Sequence, residues 1–481
     1  MVDVIVIGGG SAGCVAASTY ARAGASVLII EAGPTFAPST TESWPTDLTN
    51  ARRMPIGPES PYIDPISART TGDQHVVATR GRVLGGSGAV NGAYFVRAPL
   101  SDFDTWPQDL WNRDTVTRYY NCIETDHDFG RLDHHGSTGP VPVTRAITAP
   151  VAQAFLQAGI ASGHRHLDDL NAPTAGDGIG AVPSNVRHGR RISMAEAYLS
   201  PVADKITIRG RSQVARLLFD GDTVLGVTGR DDDGTFVVHA DRVVLAAGAV
   251  RTPNLLLHSG IGPAGTLRRV GIPVRQHLPG VGVGVADHPE ITIDYQPRRA
   301  PDDRGTPLQV VLHSGPIEIR PYTASFDRLI PGLSPMLPAI GVAHMTPDAR
   351  GTIDVVSDDP FSAPNVEHRY GETEEDRTAL SRGIDLATDI LRASGLASDI
   401  HVPAGIGATT PLGGSLHTMG TARMGFDDDP LAVVDLTGRV RGARGLSVVD
   451  ASMFPAPVSR GPHATVVMAA QRLVDAAISS H

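Results

Sequence analysis

The sequence predicts an α/β protein: a doubly wound parallel sheet interrupted by an inserted α+β domain built on an antiparallel sheet. Three observations lead there. Residues 1–33, MVDVIVIGGGSAGCVAASTYARAGASVLIIEAG, place an apolar strand, a glycine loop, an alanine-rich helix, a second apolar strand and an acid in register. The buried-strand pattern returns at residues 241–248, DRVVLAAG, again ending on glycine. From about residue 290 to 411 the character changes, with short alternating stretches at 291–295, 309–313, 317–320 and 340–344 that read as antiparallel strands.

Taken in order, residues 2–7 are β-branched almost throughout, as a strand buried on both faces requires. Gly8, Gly10 and Gly13 keep the G-x-G-x-x-G spacing. The first allows a tight turn, the second lets a pyrophosphate approach the backbone, and the third lets the next helix pack closely. That helix, over 12–23, would aim its N-terminal amides at phosphates. A second strand over 27–30 ends at Glu31, whose carboxylate can hydrogen-bond an adenosine ribose. These residues imply a dinucleotide site, with NAD and FAD both open.

Residues 34–76, rich in Pro, Ser, Thr and Asp, read as a long irregular connection. Residues 79–97 hold five glycines, a density that lets backbone approach a flat ligand, with Asn91 able to turn its amide toward it. Residues 102–133 read as short helices. Asp133, His134 and His135 lack ligand-like spacing with other residues and read as solvated loop, so no metal is expected. A helix is expected over 151–161. Stretches 206–208, 215–218 and 224–227 read as a small antiparallel layer. Thr252 and Pro253 mark a helix start that continues to His258. The strongest helical pattern of the inserted region is 376–393, and an apolar helix over 465–478 closes the chain. The resulting organisation is a nucleotide domain in three pieces, 1–150, 188–289 and 412–481. Residues 151–187 serve as substrate-domain or connecting segment, and 290–411 as the substrate-binding domain.

Composition narrows the partners. A formal net charge of -10 argues against nucleic acid. The two cysteines, Cys14 and Cys122, suggest neither a disulfide framework nor a zinc cluster. No apolar run reaches the length of a membrane span, and the first strand starts almost at Met1, which leaves no room for a signal peptide. A cytoplasmic protein is expected, with peripheral membrane attachment compatible.

Four stretches, Gly8 to Gly13 with Glu31, then 81–91, 248–263 and 417–472, resemble in order the marker segments of the glucose-methanol-choline oxidoreductases. The most specific pieces are RGRVLGGSGAVNG, GAVRTPNLLLHSGIGP, HTMGTARMG and VVDAS. The short chain and the SRGPHAT ending look most like the mycofactocin-associated members. The resemblance implies a Rossmann-like FAD-binding domain, FAD rather than NAD, and a CH–OH donor whose hydride passes to flavin N5 with His417 as base. Some relatives attach the flavin through a histidine where this chain has Val90, so non-covalent FAD is implied. Gly461-Pro462 stands where the family has Asn-Pro, and His463 is assigned the alkoxide or a share of the base role. The cofactor residues implied are Gly8, Gly10, Ser11, Ala12, Gly13, Glu31, Ala32, Arg80, Val83, Gly86, Ser87, Asn91 and Gly92, the backbone of Val214 at the adenine, then Ala247, Gly248, Asp450, Ala451, His463 and Ala464. Arg80 and Arg82 would either balance diphosphate charge or form ordinary salt bridges. Asp287-His288 is read as structural. A mycofactocin-type donor would be a reduced peptide-derived carrier, with electrons passing to a respiratory acceptor at the membrane surface rather than to oxygen. The competing reading is a flavin-bearing redox relay or a lyase on the same scaffold.

Overall fold

In the computed structural model, which describes residues 2–72, 74–300, 304–403, 405–407 and 410–479, β1 (Val2–Ile7) is an inner strand of the main sheet, and Val4 to Ile7 are buried. The sheet also contains β2 (Val27–Ile30), β3 (Ile206–Arg209), β4 (Gln213–Asp220), β5 (Thr223–Asp231) and β6 (Gly234–Leu245), in the spatial order β3-β2-β1-β6-β5-β4. The first four of these are parallel neighbours, and β6-β5-β4 are antiparallel. Both patterns meet in β6. Its first half pairs with β5, and its second half, from Ala240 to Leu245, pairs with β1.

α1 (Ser11–Arg22) returns the chain from β1. A Cβ built on Gly13 would lie 1.9 Å from the Gly8 carbonyl oxygen, so only glycine allows the helix this close to the strand. Gly8 itself has φ +95°, which a side chain would strain. α2 (Gly248–His258) follows β6.

Four expectations need correction. Residues 206–208 are the outer parallel strand beside β2, with Ile206 opposite Val27, and are not part of the antiparallel layer. Their alternation fits either neighbour, and the choice is made by tertiary packing. α2 starts at Gly248 rather than Thr252, with Pro253 inside it. Pro253 has no N–H to offer the Ala249 carbonyl, and the Thr421 hydroxyl donates to that carbonyl instead, at 2.7 Å. The segment 34–76 contains the strand Ile63–Arg69, which forms a hairpin with His75–Gly81 inside a five-stranded sheet. Pro65 and the charged Asp64 and Arg69 disguise its buried Ile63, Ile66 and Ala68. Finally, His135 is buried rather than solvated. Its Nδ1 lies 2.8 Å from Glu124 and 3.2 Å from Asp126, and its Nε2 lies 2.8 Å from Asp169. Glu124, Asp126 and His135 could group around a metal, yet Arg97 pairs with Glu124, and Arg145 with Asp126 and Asp169. Two guanidiniums and an imidazolium balance the charge of the three buried carboxylates, with Asp128 at the exposed edge beside Arg145.

The second layer system is a sheet with β7 (Pro289–Pro297), β8 (Val310–Ser314), β9 (Ile317–Pro321) and β10 (Ala339–His344) at its centre, in the order β7-β10-β9-β8. These pair antiparallel, and the sheet is extended by Ala397–His401 beside β7 and Gly178–Ala181 beside β8. α3 (Glu374–Ala393) buries Leu380, Ile384 and Ile390 in one cluster with Ile293, Ile319 and Val342 of the sheet. The helix Pro150–Ala161 contributes Phe155 to the same cluster. The chain then returns to the first sheet through β11 (Leu446–Val448), which pairs with β6, and ends in α4 (His463–Ser479), packed on α1. No described helix is long and apolar enough to cross a membrane.

Candidate active site

One cavity of about 880 Å³ runs from the glycine loop after β1 to the wall formed by β7 and β9. It lies near the top of the ~300–1,000 Å³ range of ligand pockets. Of the cofactor residues anticipated from sequence, Gly8, Gly10, Ser11, Ala12, Glu31, Ala32, Arg80, Gly86, Ser87, Asn91, Gly92, Val214, Ala247, Gly248, Asp450, Ala451 and His463 line it. Gly13, Val83 and Ala464 do not. Gly13 sits against Gly8, and Val83 and Ala464 are fully buried in the core behind.

At the nucleotide end the Glu31 carboxylate accepts from the Gly9 and Gly33 amides, each at 2.8 Å. Burial raises its pKa, and the two amides oppose the rise. The carboxylate is thus fixed at the edge of the cavity by backbone. Asp450 is the cap of the turn Ala451–Met453, accepting from Ser452 N, and also accepts from Gly248 N at 2.8 Å and Thr252 Oγ1 at 2.6 Å. It therefore places negative charge at the start of α2, where the helix dipole favours it. Arg80 lines the cavity with its guanidinium bound to Thr418 Oγ1 and 3.7 Å from Asp287. Asn254 presents a buried Oδ1 without a partner on the cavity wall. The glycine loop, the helix N-terminus, the fixed acid and this orphaned acceptor fit the adenosine diphosphate half of FAD. The length of the cavity beyond them leaves room for the flavin half.

At the other end stands His417, partly exposed to the cavity. Its Nδ1 lies 2.9 Å from Nδ1 of His288. Asp287 accepts from the His417 amide at 2.7 Å and from Thr418 Oγ1 at 3.0 Å. Burial, reinforced by His288 and Arg320, holds the His417 pKa well below its ordinary value, so the ring is neutral at pH 7. Asp287 and His288, read as structural in the sequence, are the immediate support of His417. No periodicity marks them; only their contact with residue 417 does.

His463 lines the same cavity and is held from more than one side. Asn91 Oδ1 accepts from Ala93 N at 2.9 Å, which turns the Asn91 amide nitrogen toward His463 Nδ1 at 3.3 Å. Nε2 lies 3.0 Å from Ser11 Oγ, and the Tyr94 backbone also bears on the ring in the direction that favours protonation. Both ring nitrogens are engaged, and burial lowers the pKa to about 4. His463 bridges the start of α1 to Asn91.

Two residues with positive φ flank this region: Leu416 at +62° and Ala93 at +60°. Each immediately precedes a cavity-lining ring, His417 and Tyr94. Such conformations cost about 1–3 kcal/mol and persist where the surroundings over-determine them. A Cβ on Gly461 would lie 3.0 Å from the Tyr94 ring and 3.4 Å from Cε1 of His417, so the two rings meet across a position that has no side chain. The Tyr94 hydroxyl donates to Glu318 at 2.8 Å, and Glu318 accepts from Arg320 and contacts His313. Glu290 accepts from Arg320, Tyr322 and Ser415. None of this polar wall was anticipated from sequence. Glu290, His313, Glu318 and Arg320 lie on strands whose pattern reports burial and not chemistry, and Tyr94, Tyr322 and Ser415 lie outside the strands.

A GMC oxidoreductase N-terminal family model matches residues 2–290, and the corresponding C-terminal model matches residues 347–470. An uncharacterized GMC-type oxidoreductase of Rhodococcus erythropolis is 40% identical over 482 residues, covering 98% of this chain and 97% of that protein. An oxygen-dependent choline dehydrogenase of Staphylococcus epidermidis is 29% identical over 542 residues, covering 98% and 92%. The crystal structure of pyridoxine 4-oxidase from Mesorbium loti superposes with a TM-score of 0.90 at 26% identity, covering 100% of this chain and 99% of that one. With the cavity and these matches together, the chain belongs to the GMC oxidoreductase family and is an FAD-dependent oxidoreductase.

Proposed function

We propose that this protein oxidises the CH–OH group of a small donor, with His417 as the base. The observation that carries the reading is a neutral imidazole, anchored at Nδ1 and facing the far end of the same cavity that begins at the dinucleotide loop. When bound, FAD supplies the hydride acceptor. The chain's own residues then divide the work. His417 takes the hydroxyl proton through Nε2, which makes no hydrogen bond among the described residues. The residues lining the nucleotide end of the cavity hold the cofactor. His463 is proposed as a cradle residue between Ser11 and Asn91, not a second base. Val90 lines the cavity with an inert side chain, in keeping with non-covalent FAD. The polar wall of Tyr94, Glu290, Arg320 and Tyr322, facing apolar Leu308 and Phe326, suits a small donor with one apolar face. Residues 290–411 are proposed as most of the donor-binding domain.

The relatives include an oxygen-dependent choline dehydrogenase and a pyridoxine oxidase, which supports small alcohols as the first donors to try. The test is anaerobic flavin reduction of the purified yellow protein by choline, pyridoxine and benzyl alcohol, followed by mixing with oxygen or with a soluble quinone. Reduction by one of the three, slowed by at least about a hundredfold in His417→Ala with FAD still bound, is the expected result. Unchanged reduction in His417→Ala would remove His417 from the mechanism. Inertness toward every alcohol, with reduction by a peptide-derived carrier or none at all, would favour the carrier-linked or redox-relay reading. Faster reoxidation by the quinone than by oxygen is expected if the acceptor is respiratory.

A further inference from the structure

We infer that His288 is a positioning residue that sets the tautomer of His417, keeping the proton on Nδ1 and leaving Nε2 bare toward the cavity. This rests on the reading of His417 as proton acceptor. The geometry is a hydrogen bond between the two Nδ1 atoms at 2.9 Å, with ring centroids 5.1 Å apart and planes at 83°. Two neutral imidazoles can share such a bond in only two ways, because one nitrogen must donate and the other accept. If His288 donated, His417 would carry its proton on Nε2 and could not act as a base there. If His417 donates, Nε2 is the lone pair that faces the donor, and His288 carries its own proton on Nε2.

The reading of His417 as base at Nε2, together with the Nδ1–Nδ1 bond, requires the second arrangement, and the surroundings of His288 accommodate it. His288 is fully buried, and burial lowers its pKa to about 4, so it stays neutral and keeps one bare nitrogen for His417. Its Nε2 makes no hydrogen bond of ordinary length, and the Val458 backbone acts on the ring in the direction that favours protonation. Asp287 fixes both histidines through their backbones, accepting from His288 N at 2.8 Å and from His417 N at 2.7 Å. The Asp287 carboxylate therefore does not compete for either ring nitrogen. Once His417 accepts the hydroxyl proton at Nε2, its Nδ1–H bond to His288 becomes charge-assisted, and Asp287 lies close enough to favour the imidazolium. The other charged or titratable groups facing the pair are Arg80 and His368 beside Asp287, and Arg320 and Glu318 on β9. Their effects bear on the pKa of His417 and not on which of its nitrogens is protonated.

The test compares His288→Asn with His288→Leu in the FAD-loaded protein. The two side chains have similar shape, but only Asn can place an acceptor where Nδ1 of His288 stands. The limiting rate of anaerobic flavin reduction, with the fastest of the three alcohols, should fall roughly tenfold or more in the Leu variant. The Asn variant should retain the rate to within about threefold. A second readout does not depend on turnover: the 15N spectrum of histidine-labelled protein, with the His417 signals assigned by their loss in His417→Gln. Wild type should show His417 protonated on Nδ1 and bare on Nε2, and His288→Leu should lose that preference. Equal rates in the FAD-loaded Asn and Leu variants would overturn the inference, and a wild-type His417 protonated on Nε2 would overturn it even if both variants lose flavin. Unchanged reduction in His417→Gln would instead refute the base assignment and leave the tautomer measurement standing.

Discussion

Gly461 shows how much a single missing side chain decides. Tyr94 and His417 approach the point where its Cβ would stand, and Tyr94 cannot retreat freely because its hydroxyl is held by Glu318. Gly461→Ala should therefore push the rings apart and slow flavin reduction roughly tenfold, since small misplacements at a reacting centre are costly. Unchanged FAD content with a slower single-turnover rate is the signature to look for. Glu31 works differently. Its two oxygens hold one backbone amide of the glycine loop, that of Gly9, and one just beyond β2, that of Gly33. Glu31→Ala leaves both donors buried and unpaired at about 1–3 kcal/mol each. FAD affinity, measured by flavin fluorescence on dilution, should fall at least tenfold. Glu31 was legible in the sequence as the acid closing β2, whereas its bonds to Gly9 and Gly33 were not, because they depend on how the loop folds back.

Among the elements, α2 is the one whose sequence misleads. Pro253 is a strong start signal, yet the helix begins earlier, at Gly248, because Asp450 caps that end and Thr421 satisfies the carbonyl that proline strands. Both partners are distant in the chain, 202 residues from Gly248 and 172 from Ala249, and cannot be found by local pattern. Thr421→Val keeps the shape and removes the donor, so it should destabilise the protein by about 1–3 kcal/mol. The midpoint of urea unfolding, at unchanged slope, would report this. The hairpin Ile63–Arg69 with His75–Gly81 escaped for a related reason: a proline within a strand is an argument against it unless its position leaves the ladder intact.

For the molecule as a whole, buried histidines define a pH window of stability. His135, held by Glu124, Asp126 and Asp169, has its pKa raised to about 10 despite burial. Its contribution is complete below the unfolded value of ~6.5 and is lost as pH rises toward 10. His258, His288 and His463 are pushed by burial down to about 4. They cost nothing above ~6.5, but the unfolded chain takes up their protons first as pH falls toward 4, so stability drops on that side too. The melting temperature should peak near neutral pH and decline in both directions. His135→Asn should flatten the alkaline limb while leaving the acid limb in place, a comparison that differential scanning calorimetry can make.

By itself the sequence determined the features that local spacing dictates: the glycine loop with its strands and helix, the recurring glycine-rich segments along one cavity, and the amphipathic α3; through a family resemblance it also named His417 as the proposed base. Each of these is written in consecutive residues, because a turn, a helix face or a phosphate cradle is built from neighbours in the chain. Tertiary structure alone decided the partner of the 206–208 strand, the burial of His135 among three carboxylates, the engagement of both nitrogens of His463, and the pairing of His288 with His417 across 129 residues. Those outcomes depend on which surfaces the two sheets bring together. A side chain's protonation and free lone pairs are fixed by what lies against it in space, and the order of residues does not record that.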